Sequence, residues 1–493
     1  MIDSPLLGSR SGFIGGRWDS GHSSARFEVV NPANGAILAE LPLMSRDDAA
    51  RSVQAAFEVL GSPISLERRR ELLLALVDQI RKEREEIGRI ITLENGKPLA
   101  EACAEADYAA GFYQYAADHL DRLTPRRLEE NPRGHEWTVY ARPAGVAGLI
   151  TPWNFPFAMI AKKLAASLAA GAPAVIKPAE KTPLAMIALF TLLERIGMPS
   201  GLANLVFGDA SAIGSVLCTD PRVRVVSFTG STRVGRILLE QSAPHFKRLA
   251  LELGGNAPFV VFADADLGLA AEHLVQNKLR AGGQTCVCAN RLLVERSVAD
   301  RFEQELVSRL EPLRVGDGME PGVAVGPMID RAGYEKVGQH LEDAVAGGAR
   351  LTYQGRVPVG DDSDDAAETM SRDWGWYFPP TVLRHALPTM LCAREETFGP
   401  LFPIFEFESE AEALEMSNDT EYGLAAYLFT GDPRRAERMI ERLHYGHVGW
   451  NSGTGPTPEA PFGGMGHSGF GREGGVEGLM DFVEFQTVAR SPS

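Results

Sequence analysis

A repeated alternation between short apolar strands and helical segments constrains the fold of this chain more than any other feature. The first series follows Trp137 and contains strand-like runs at Val139 to Ala141, Gly145 to Ile150, Ala174 to Ile176, Ala203 to Phe207 and Val225 to Phe228. The second contains runs at Phe259 to Phe262, Arg291 to Val294, Gly423 to Thr430 and His447 to Trp450. Strands that alternate with helices usually form a parallel sheet with helices on both faces. The pattern therefore predicts an α/β protein with two doubly wound domains that divide near Gly254 and Gly255.

The segments outside these two series predict a hairpin, three helices, a loop and a last strand. Asn31 to Gly35 contains Asn-Pro and Asn-Gly turn signals between two β-like runs. The helical patterns span Ser45 to Leu60, with a capping-box-like start at Ser45 and Asp48, then Leu66 to Gly96, and Leu99 to Leu120. The acidic stretch 354–376 is predicted to be a surface loop, and the last strand to span about Leu479 to Val488.

Two glycine-rich segments carry a candidate nucleophile and a candidate general base. Cys286 lies in Gly-Gly-Gln-Thr-Cys-Val-Cys, and Glu252 lies in Leu-Glu-Leu-Gly-Gly. A thiolate attacks a carbonyl carbon when nearby charges or dipoles lower its pKa, and a carboxylate beside a water molecule can release the resulting acyl group. A buried apolar cysteine and a solvated glutamate are the commoner roles of these residue types. Together, however, the two segments favour covalent chemistry at a carbonyl group.

Asn154 follows the strand-like run Gly145 to Ile150 and stands between Pro152 and Pro156. Ligand sites in open α/β sheets lie at the carboxyl ends of strands, so an asparagine in this rigid turn can donate an N–H to a developing oxyanion. Shaping the turn is the alternative role of Asn154.

Two further strand ends indicate a dinucleotide cofactor. Thr229 and Gly230 lead from a strand into a helix, whose first N–H groups can face a pyrophosphate. Lys177 and Glu180 follow another strand, where a lysine can bind ribose hydroxyls and a carboxylate can accept from the 2′-hydroxyl while repelling a 2′-phosphate. NAD is therefore the preferred cofactor, with NADP as the alternative. A structural turn and two solvated charges are the roles that require no cofactor.

The composition excludes several classes of partner. A net charge of −16 argues against binding to nucleic acid or to an anionic membrane. The chain begins without a basic region followed by a long apolar stretch, and its most apolar run, Leu164 to Ile176, is interrupted by Gly171 and Pro173. We therefore expect a cytoplasmic protein without a membrane segment. Five cysteines in 493 residues argue against a disulfide framework, and no second Cys/His pair at ligand spacing indicates a metal.

Taken in chain order, these segments resemble the aldehyde dehydrogenase superfamily from about Asn31 to Phe485. The motifs that fit the same pattern are Lys177 to Glu180, Phe228 to Gly235, Glu395 to Pro400, Pro461 to Gly464 and Ser468 to Glu473. The resemblance implies an aldehyde dehydrogenase-like fold. It places a dinucleotide-binding domain at 1–123 and 145–253, a catalytic domain at 254–455, and a small β oligomerisation arm with the C-terminal segment at 124–144 and 456–493. It also implies a homodimer or a homotetramer.

The resemblance further implies NAD(P)-dependent, non-acylating oxidation of an aldehyde to a carboxylic acid. Cys286 is expected to form a thiohemiacetal and then a thioester, Asn154 and the Cys286 N–H to stabilise the oxyanion, and Glu252 to activate water. Glu473 matches a proton-relay position, with a surface salt bridge as its alternative role. The residues expected around the cofactor are Trp153, Lys177, Glu180, Gly230, Ser231, Leu253, Glu396 and Phe398.

The substrate pocket resembles that of succinic-semialdehyde dehydrogenases in part. Arg280 matches an arginine that holds the substrate carboxylate, whereas Lys162 stands where a second arginine is expected and Pro456 where a serine is expected. Lysine keeps the positive charge but lacks the bidentate fork of arginine. Phe155 and Phe462 are expected in the same pocket. A semialdehyde such as succinic semialdehyde is therefore the favoured substrate.

Alternatives remain open at this stage. A general aldehyde dehydrogenase for uncharged aliphatic or aromatic aldehydes, or a cysteine esterase, would use the same Cys286. A surface charge at a helix end is the alternative role of Arg280. Cys288 either forms a reversible disulfide with Cys286 or simply packs in the core.

Overall fold

The computed structural model describes residues 1–130, 132–357 and 375–491. Its α-helices within these ranges are α1 Arg46–Val59, α2 Leu66–Lys82, α3 Arg84–Asn95, α4 Leu99–Asp118, α5 Pro156–Ala170, α6 Leu184–Arg195, α7 Ala210–Thr219, α8 Thr232–Ser242, α9 Leu267–Lys278, α10 Ala299–Leu310, α11 Arg331–Ala346, α12 Leu391–Arg394, α13 Glu410–Asn418, α14 Pro433–Arg442 and α15 Gly475–Met480. Its strands are β1 Gly12–Ile14, β2 Arg17–Asp19, β3 Arg26–Val30, β4 Ile37–Pro42, β5 Arg126–Arg127, β6 Glu136–Pro143, β7 Val146–Ile150, β8 Ala174–Lys177, β9 Ala203–Leu205, β10 Val223–Thr229, β11 Arg248–Glu252, β12 Ala257–Val261, β13 Ala289–Glu295, β14 Arg314–Val315, β15 Val323–Val325, β16 Arg350–Gln354, β17 Thr381–Arg384, β18 Leu401–Phe407, β19 Ala425–Phe429, β20 His447–Trp450, β21 Gly469–Phe470 and β22 Val483–Arg490. Residues 358–374 of the predicted acidic loop lie outside the described residues.

The first large sheet has the strand order β2-β1-β9-β8-β7-β10-β11-β21. Its central strands β9, β8, β7, β10 and β11 pair in parallel, and the edge strands pair antiparallel. Val146 and Val175 pack with α1 and α7 on one face, whereas Ala147 and Ile176 pack with helices from α2 to α6 on the other. Because helices cover both faces, the inner strands are apolar throughout rather than alternating with polar residues. The predicted doubly wound sheet is confirmed.

The second large sheet has the strand order β16-β17-β18-β13-β12-β19-β20, and β16 is its antiparallel edge. Phe259 and Val261 of β12 pack with α9 and α10, while Val260 and the following Phe262 pack with α11, α13 and α14. This sheet is therefore also covered on both faces, as the second series of strand-like runs predicted.

A small sheet of β22, β6 and β5 differs from the alternation pattern. Val139 to Ala141 belongs to β6, which pairs antiparallel with β22 and not with the first large sheet. Its side chains are partly exposed on both faces, so the run never enters a buried layer. The predicted last strand begins later than expected, because Leu479 and Met480 end α15 and β22 begins at Val483.

The helices at the N-terminal side follow the predictions with one break. The capping box of Ser45 and Asp48 is present at the start of α1. The pattern from Leu66 to Gly96 forms two helices instead of one, because Glu83 leaves helical geometry at φ −98° and ψ 13°. Both α2 and α3 pack mainly on α4, and α2 also contacts α5 while α3 contacts α6. In the part of the chain that the structure describes, no helix is both long and apolar enough to cross a membrane.

Candidate active site

Neighbouring strand ends bring the candidate catalytic residues to one edge of the first large sheet. β7, β10 and β11 run side by side, with Phe228 opposite Ile150 and Thr229 opposite Glu252. Asn154 follows the end of β7, and Glu252 is the last residue of β11. Because the carboxyl ends of parallel strands meet at the same edge, the loops that leave them share a cleft. Cys286 reaches this cleft from the loop before β13.

Two glycines allow the loop of Cys286 to approach its neighbours. A Cβ on Gly255 would lie 2.3 Å from the Cys286 carbonyl oxygen. A Cβ on Gly283, which has φ +81°, would lie 2.4 Å from the Gly399 backbone. Any larger residue would force these backbones apart. The glycines near Glu252 and Cys286 thus allow loops from the two sheets to come into close contact.

Cys286 lies between two pockets and is a free thiol. Burial raises its pKa to about 12, Glu396 and Glu252 add to the rise, and the Lys162 charge opposes it. Since the thiolate is the reactive form of cysteine, the thiol proton must leave before Cys286 can attack a carbonyl carbon.

Asn154 is buried beside the Cys286 loop. Its Nδ2 donates to the Gln284 carbonyl oxygen at 2.9 Å, and its Oδ1 has no hydrogen-bond partner among the described residues. Its own carbonyl oxygen accepts from Lys97 Nζ at 2.7 Å, and Lys97 also bonds the buried carboxylate of Glu105 at 2.6 Å. These contacts fix the Asn154 backbone. The Asn154 side-chain amide lies in the wall of the same cleft that Cys286 lines.

A buried cluster of two carboxylates and two lysines adjoins Cys286. Glu473 accepts from Lys163 and lies 3.8 Å from the Lys162 ammonium. Both carboxyl oxygens of Glu252 are buried without a hydrogen-bond partner within the described part of the chain. Burial raises the pKa of Glu252 well above its usual range, and the neighbouring Glu473 raises it further. The surface salt bridge considered for Glu473 is wrong, because this residue is only 5% exposed.

A narrow pocket leads away from Cys286 between aromatic rings, and it contains Arg280, Lys162, Phe155 and Phe462 together. The Arg280 guanidinium lies 4.7 Å from the centre of the Phe155 ring, and the Lys162 ammonium lies 4.8 Å from that of Phe462. Arg280 is therefore a pocket residue rather than the solvated helix-end charge that was its alternative role. Pro456 also lines this pocket.

A wider cleft opens beside the Cys286 loop. The predicted cofactor residues in its walls are Trp153, Gly230, Ser231, Leu253, Glu396 and Phe398. Ser231 caps α8, and the Trp153 and Phe398 rings meet edge to face at 5.7 Å. Burial raises the pKa of Glu396 to about 7, although its carboxylate accepts from the Gly255 N–H at 3.0 Å. A helix N-terminus, apolar rings and a carboxyl group in one cleft fit the parts of a dinucleotide.

Lys177 and Glu180 do not line this cleft in the structure. Lys177 is buried at the end of β8, where its ammonium donates to the Pro178 carbonyl oxygen at 3.0 Å and pairs with Glu180. The Glu180 side chain is 40% exposed. The two charges therefore neutralise each other at the rim, and ribose hydroxyls would have to join or replace this pair.

Cys286 and Cys288 are both free thiols in this structure. Cys288 is buried, and its Sγ donates to the Gly283 carbonyl oxygen at 3.3 Å. The ammonium of Lys278 lies 3.8 Å from the same sulfur. Cys288 thus packs beneath the Cys286 loop when both thiols are reduced.

Lys163 and Tyr108 were not among the site residues expected from the sequence, and Thr229 was expected only at the turn before the cofactor helix. Lys163 Nζ donates to Thr229 Oγ1 at 2.7 Å and thereby connects β10 to the Glu473 carboxylate. Lys163 directly follows Lys162, and Thr229 directly precedes Gly230. Because Lys162 and Gly230 were predicted site residues, their neighbours in the sequence could have been considered as well. Tyr108 lies within α4, and its ring centre is 5.8 Å from the Arg280 guanidinium. No motif marks Tyr108, so helix packing alone reveals it.

The chain matches known proteins over almost its whole length. The model of the aldehyde dehydrogenase family matches residues 18–488. A 3-sulfolactaldehyde dehydrogenase from Pseudomonas putida is 43% identical over 99% of this chain and 98% of that protein. A succinate-semialdehyde dehydrogenase (NADP+) from Escherichia coli strain K12 is 41% identical over 99% of this chain and 98% of that protein. The solved structure of an oxidoreductase from Marinobacter aquaeolei has a TM-score of 0.95 and 52% identity, covering 99% of this chain and 100% of that one.

Proposed function

This chain belongs to the aldehyde dehydrogenase family and oxidises aldehydes with NAD(P), and from that premise we propose that its substrate is a short aldehyde with an anionic group at the far end. The observation that carries the proposal is the unpaired positive charge of Arg280 in the Cys286 pocket. The two curated relatives described above are named for aldehydes that bear a sulfonate and a carboxylate.

Arg280 forms no ion pair with any residue that the structure describes. Its side chain lines the pocket and stacks on aromatic rings, yet it makes no hydrogen bond or ion pair with any described residue. Leaving a partly buried charge unpaired is unfavourable, so such a group is usually paired when its ligand is bound. The planar fork of five N–H donors suits a carboxylate or a sulfonate. Arg280 is therefore the group that we propose to bind the substrate anion directly.

Lys162 contributes a second positive charge at the other side of the pocket. The residue is 4% exposed, and its ammonium forms an ion pair with the Glu473 carboxylate at 3.8 Å. Since this charge is shared with Glu473, we propose that Lys162 attracts the anion through its field without forming the main contact.

We propose that Cys286, Asn154 and Glu252 carry the chemical steps. Cys286 loses its thiol proton to solvent in the cleft, and the resulting thiolate attacks the aldehyde carbon while the Cys286 N–H and Asn154 Nδ2, turned from Gln284, donate to the negative oxygen. NAD(P), when bound in the wider cleft, supplies the acceptor of the hydride. Glu252, whose carboxyl oxygens have no hydrogen-bond partner among the described residues, takes a proton from the water that hydrolyses the thioester. Glu473 is the next buried carboxylate that can receive this proton.

We propose NAD as the preferred cofactor. The Glu180 carboxylate stands at the end of β8, where it would accept from a 2′-hydroxyl and repel a 2′-phosphate. The nearest lysine, Lys177, is already paired with Glu180 and so is not free for a phosphate. The Escherichia coli relative is named for NADP, and the KM values of both cofactors are therefore the measurement that decides the preference.

We also retain the proposed division of the chain and its assembly. Residues 1–123 and 145–253 form a dinucleotide-binding domain, 254–455 a catalytic domain, and 124–144 with 456–493 an oligomerisation arm and C-terminal segment. The position of β5, β6 and β22 within the last two ranges supports this division. We propose a homodimer or homotetramer located in the cytoplasm.

The anion proposal is tested with two aldehydes of similar length, succinic semialdehyde and butanal. Arg280→Ala should raise the KM for succinic semialdehyde by about 10- to 100-fold, since a hydrogen bond to a charged group contributes roughly 1.5–3 kcal/mol. The KM for butanal should change by less than about twofold. Arg314→Ala, which removes an exposed arginine outside the pocket, is the matched control. Equal activity on both aldehydes, unaffected by Arg280→Ala, would instead indicate a general aldehyde dehydrogenase.

A further inference from the structure

We propose that Glu101 of α4 is a positioning residue that holds the turn beneath Arg280 and thereby sets the preference for anionic aldehydes. This inference rests on the proposed function, in which Arg280 binds the anion. It concerns a residue that lies outside the pocket lining and acts through the backbone of its neighbour.

The contact that supports this role joins two distant parts of the chain. Glu101 Oε1 accepts a hydrogen bond from the Ala281 N–H at 2.8 Å. Ala281 directly follows Arg280, so the carboxylate binds the peptide group through which the Arg280 side chain is anchored. Glu101 is partly buried, whereas Ala281 is only 3% exposed. A hydrogen bond in such a place is strong because water competes for it poorly.

The turn after Arg280 needs such a restraint. Ala281 has φ +49°, Gly282 has φ +64° and Gly283 has φ +81°, so three successive residues adopt left-handed geometry. Glycine adopts this region freely, but for alanine it is unfavourable. An unfavourable backbone conformation persists only where surrounding contacts fix it. The Glu101 carboxylate is one such contact, and losing it should let the turn relax and the guanidinium move.

Glu101 supports the turn at Arg280 without forming an ion pair with the Arg280 guanidinium. No ion pair joins the two side chains among the described contacts, because the carboxylate bonds the Ala281 N–H instead. Burial raises the pKa of Glu101, while the positive charges of Lys97 and Arg280 oppose the rise, which places the guanidinium within electrostatic range. The guanidinium therefore keeps its N–H donors for a ligand.

The same face of α4 holds other parts of the active site, which gives Glu101 a rigid base. One turn further along, Glu105 Oε1 accepts from the N–H groups of Phe157 and Ala158 at the start of α5. Tyr108 then donates to the Pro456 carbonyl oxygen at 2.9 Å. α4 thus connects the Arg280 turn to the loop of Asn154 and to the far wall of the pocket. The distance between the oxyanion site and the anion site is consequently set by one helix.

The test compares Glu101→Asp, which keeps the charge but shortens the reach, with Glu101→Gln, which keeps an oxygen acceptor at full reach. Glu101→Asp should raise the KM for succinic semialdehyde by about tenfold, because a buried N–H would lose its acceptor. It should leave kcat nearly constant and change the KM for butanal much less, by under about twofold. Glu101→Gln should restore the KM for succinic semialdehyde to within about threefold of wild type. Asp107→Ala, on the same helix but paired with exposed Arg84, is the matched control.

The outcomes separate this inference from the function on which it rests. Equal KM changes for both aldehydes in Glu101→Asp, or a Gln variant no better than the Asp variant, would overturn the positioning role. If Arg280→Ala raises the KM for succinic semialdehyde alone while Glu101→Asp changes neither KM or both equally, the role of Glu101 alone is overturned. If Arg280→Ala changes the KM values for succinic semialdehyde and butanal equally, the anionic-substrate proposal is overturned. Combining Glu101→Asp with Arg280→Ala should add less than about twofold to the effect of Arg280→Ala.

Discussion

Glu252 shows how the surroundings of a single residue define its chemistry. Its carboxyl group is buried, its oxygens have no hydrogen-bond partner among the described residues, and its pKa is raised by burial and then by Glu473. A carboxylate in these conditions binds protons more strongly than one in water, which suits a general base. Cys286, two residues after the Gln284 that Asn154 contacts, needs no partner to be a nucleophile once it has lost its proton.

Replacing Glu252 with Gln should therefore separate the two halves of the reaction. Because the amide cannot accept a proton from water, thioester hydrolysis should slow by about 10²- to 10⁴-fold. The first turnover should still produce reduced cofactor, which stopped-flow absorbance would record as a burst of about one equivalent per site. Glu240→Gln, on the exposed side of α8, serves as the control. A burst that slows as much as the steady state would show that Glu252 acts before the thioester forms.

Among the elements, α6 depends on a buried carboxyl group from another helix. Glu94, near the end of α3, accepts from the N–H groups of Leu184 and Ala185 at 2.7 and 2.9 Å. These N–H groups lie in the first turn of α6, where the helix itself offers them no carbonyl acceptor. Burial raises the pKa of Glu94 from 4.5 to about 8. The folded protein therefore retains this proton up to a pH at which the unfolded chain has lost it.

Glu94→Gln should lower the melting temperature by an amount that depends on pH. The amide accepts only one of the two N–H groups, so about 1–3 kcal/mol of stability should be lost. The stability linked to the Glu94 proton is complete below pH 4.5 and is lost as the pH rises through about 8. The melting temperatures of wild type and variant should thus differ most near the lower end of this range and converge toward pH 8.

Thermal unfolding at several pH values between these limits is the measurement. Ser409→Ala, which removes the N-cap of α13, provides a control helix cap that carries no titratable group. A difference between wild type and Glu94→Gln that stays constant with pH would contradict the shifted pKa of Glu94.

At the scale of the whole molecule, the small sheet of β5, β6 and β22 is exposed in a way that packing within one chain does not explain. All residues of β22 after Val483 are exposed, and β6 is only half-buried. The Phe485 side chain is 60% exposed on this sheet. A sheet with apolar side chains that no other part of its own chain covers is typical of a surface used in assembly.

Phe485→Glu should therefore lower the oligomeric mass. A charge on the exposed sheet would have to be buried on association, at a cost of several kcal/mol. Light scattering after size-exclusion chromatography measures the mass directly. Val345→Glu, at a 46% exposed position on α11, is the control for a surface charge elsewhere. An unchanged mass for Phe485→Glu would mean that this part of the sheet lies outside the interface.

The sequence alone determined the two large sheets and the central residues of the site. Strand-like runs and glycine-rich loops are local patterns, and the carboxyl ends of parallel strands must meet. Asn154 and the turn at Gly230 could therefore be assigned to one edge from the sequence, whereas β11, the strand that ends at Glu252, was not among the predicted runs. The family motifs added Cys286 and Arg280 to the same region.

Only the tertiary structure decided the contacts between segments that are distant in sequence. The approach of Glu101 to Ala281, the pairing of Lys163 with Glu473, and the place of Tyr108 beside Arg280 follow from how helices pack, which no local pattern encodes. The break at Glu83 has the same origin, since neither glycine nor proline marks it and both resulting helices pack on α4. The run Val139 to Ala141 likewise has strand character by itself, but its sheet was chosen by pairing with β22 near the opposite end of the chain. Local sequence sets which element forms, whereas burial and long-range pairing set what it touches.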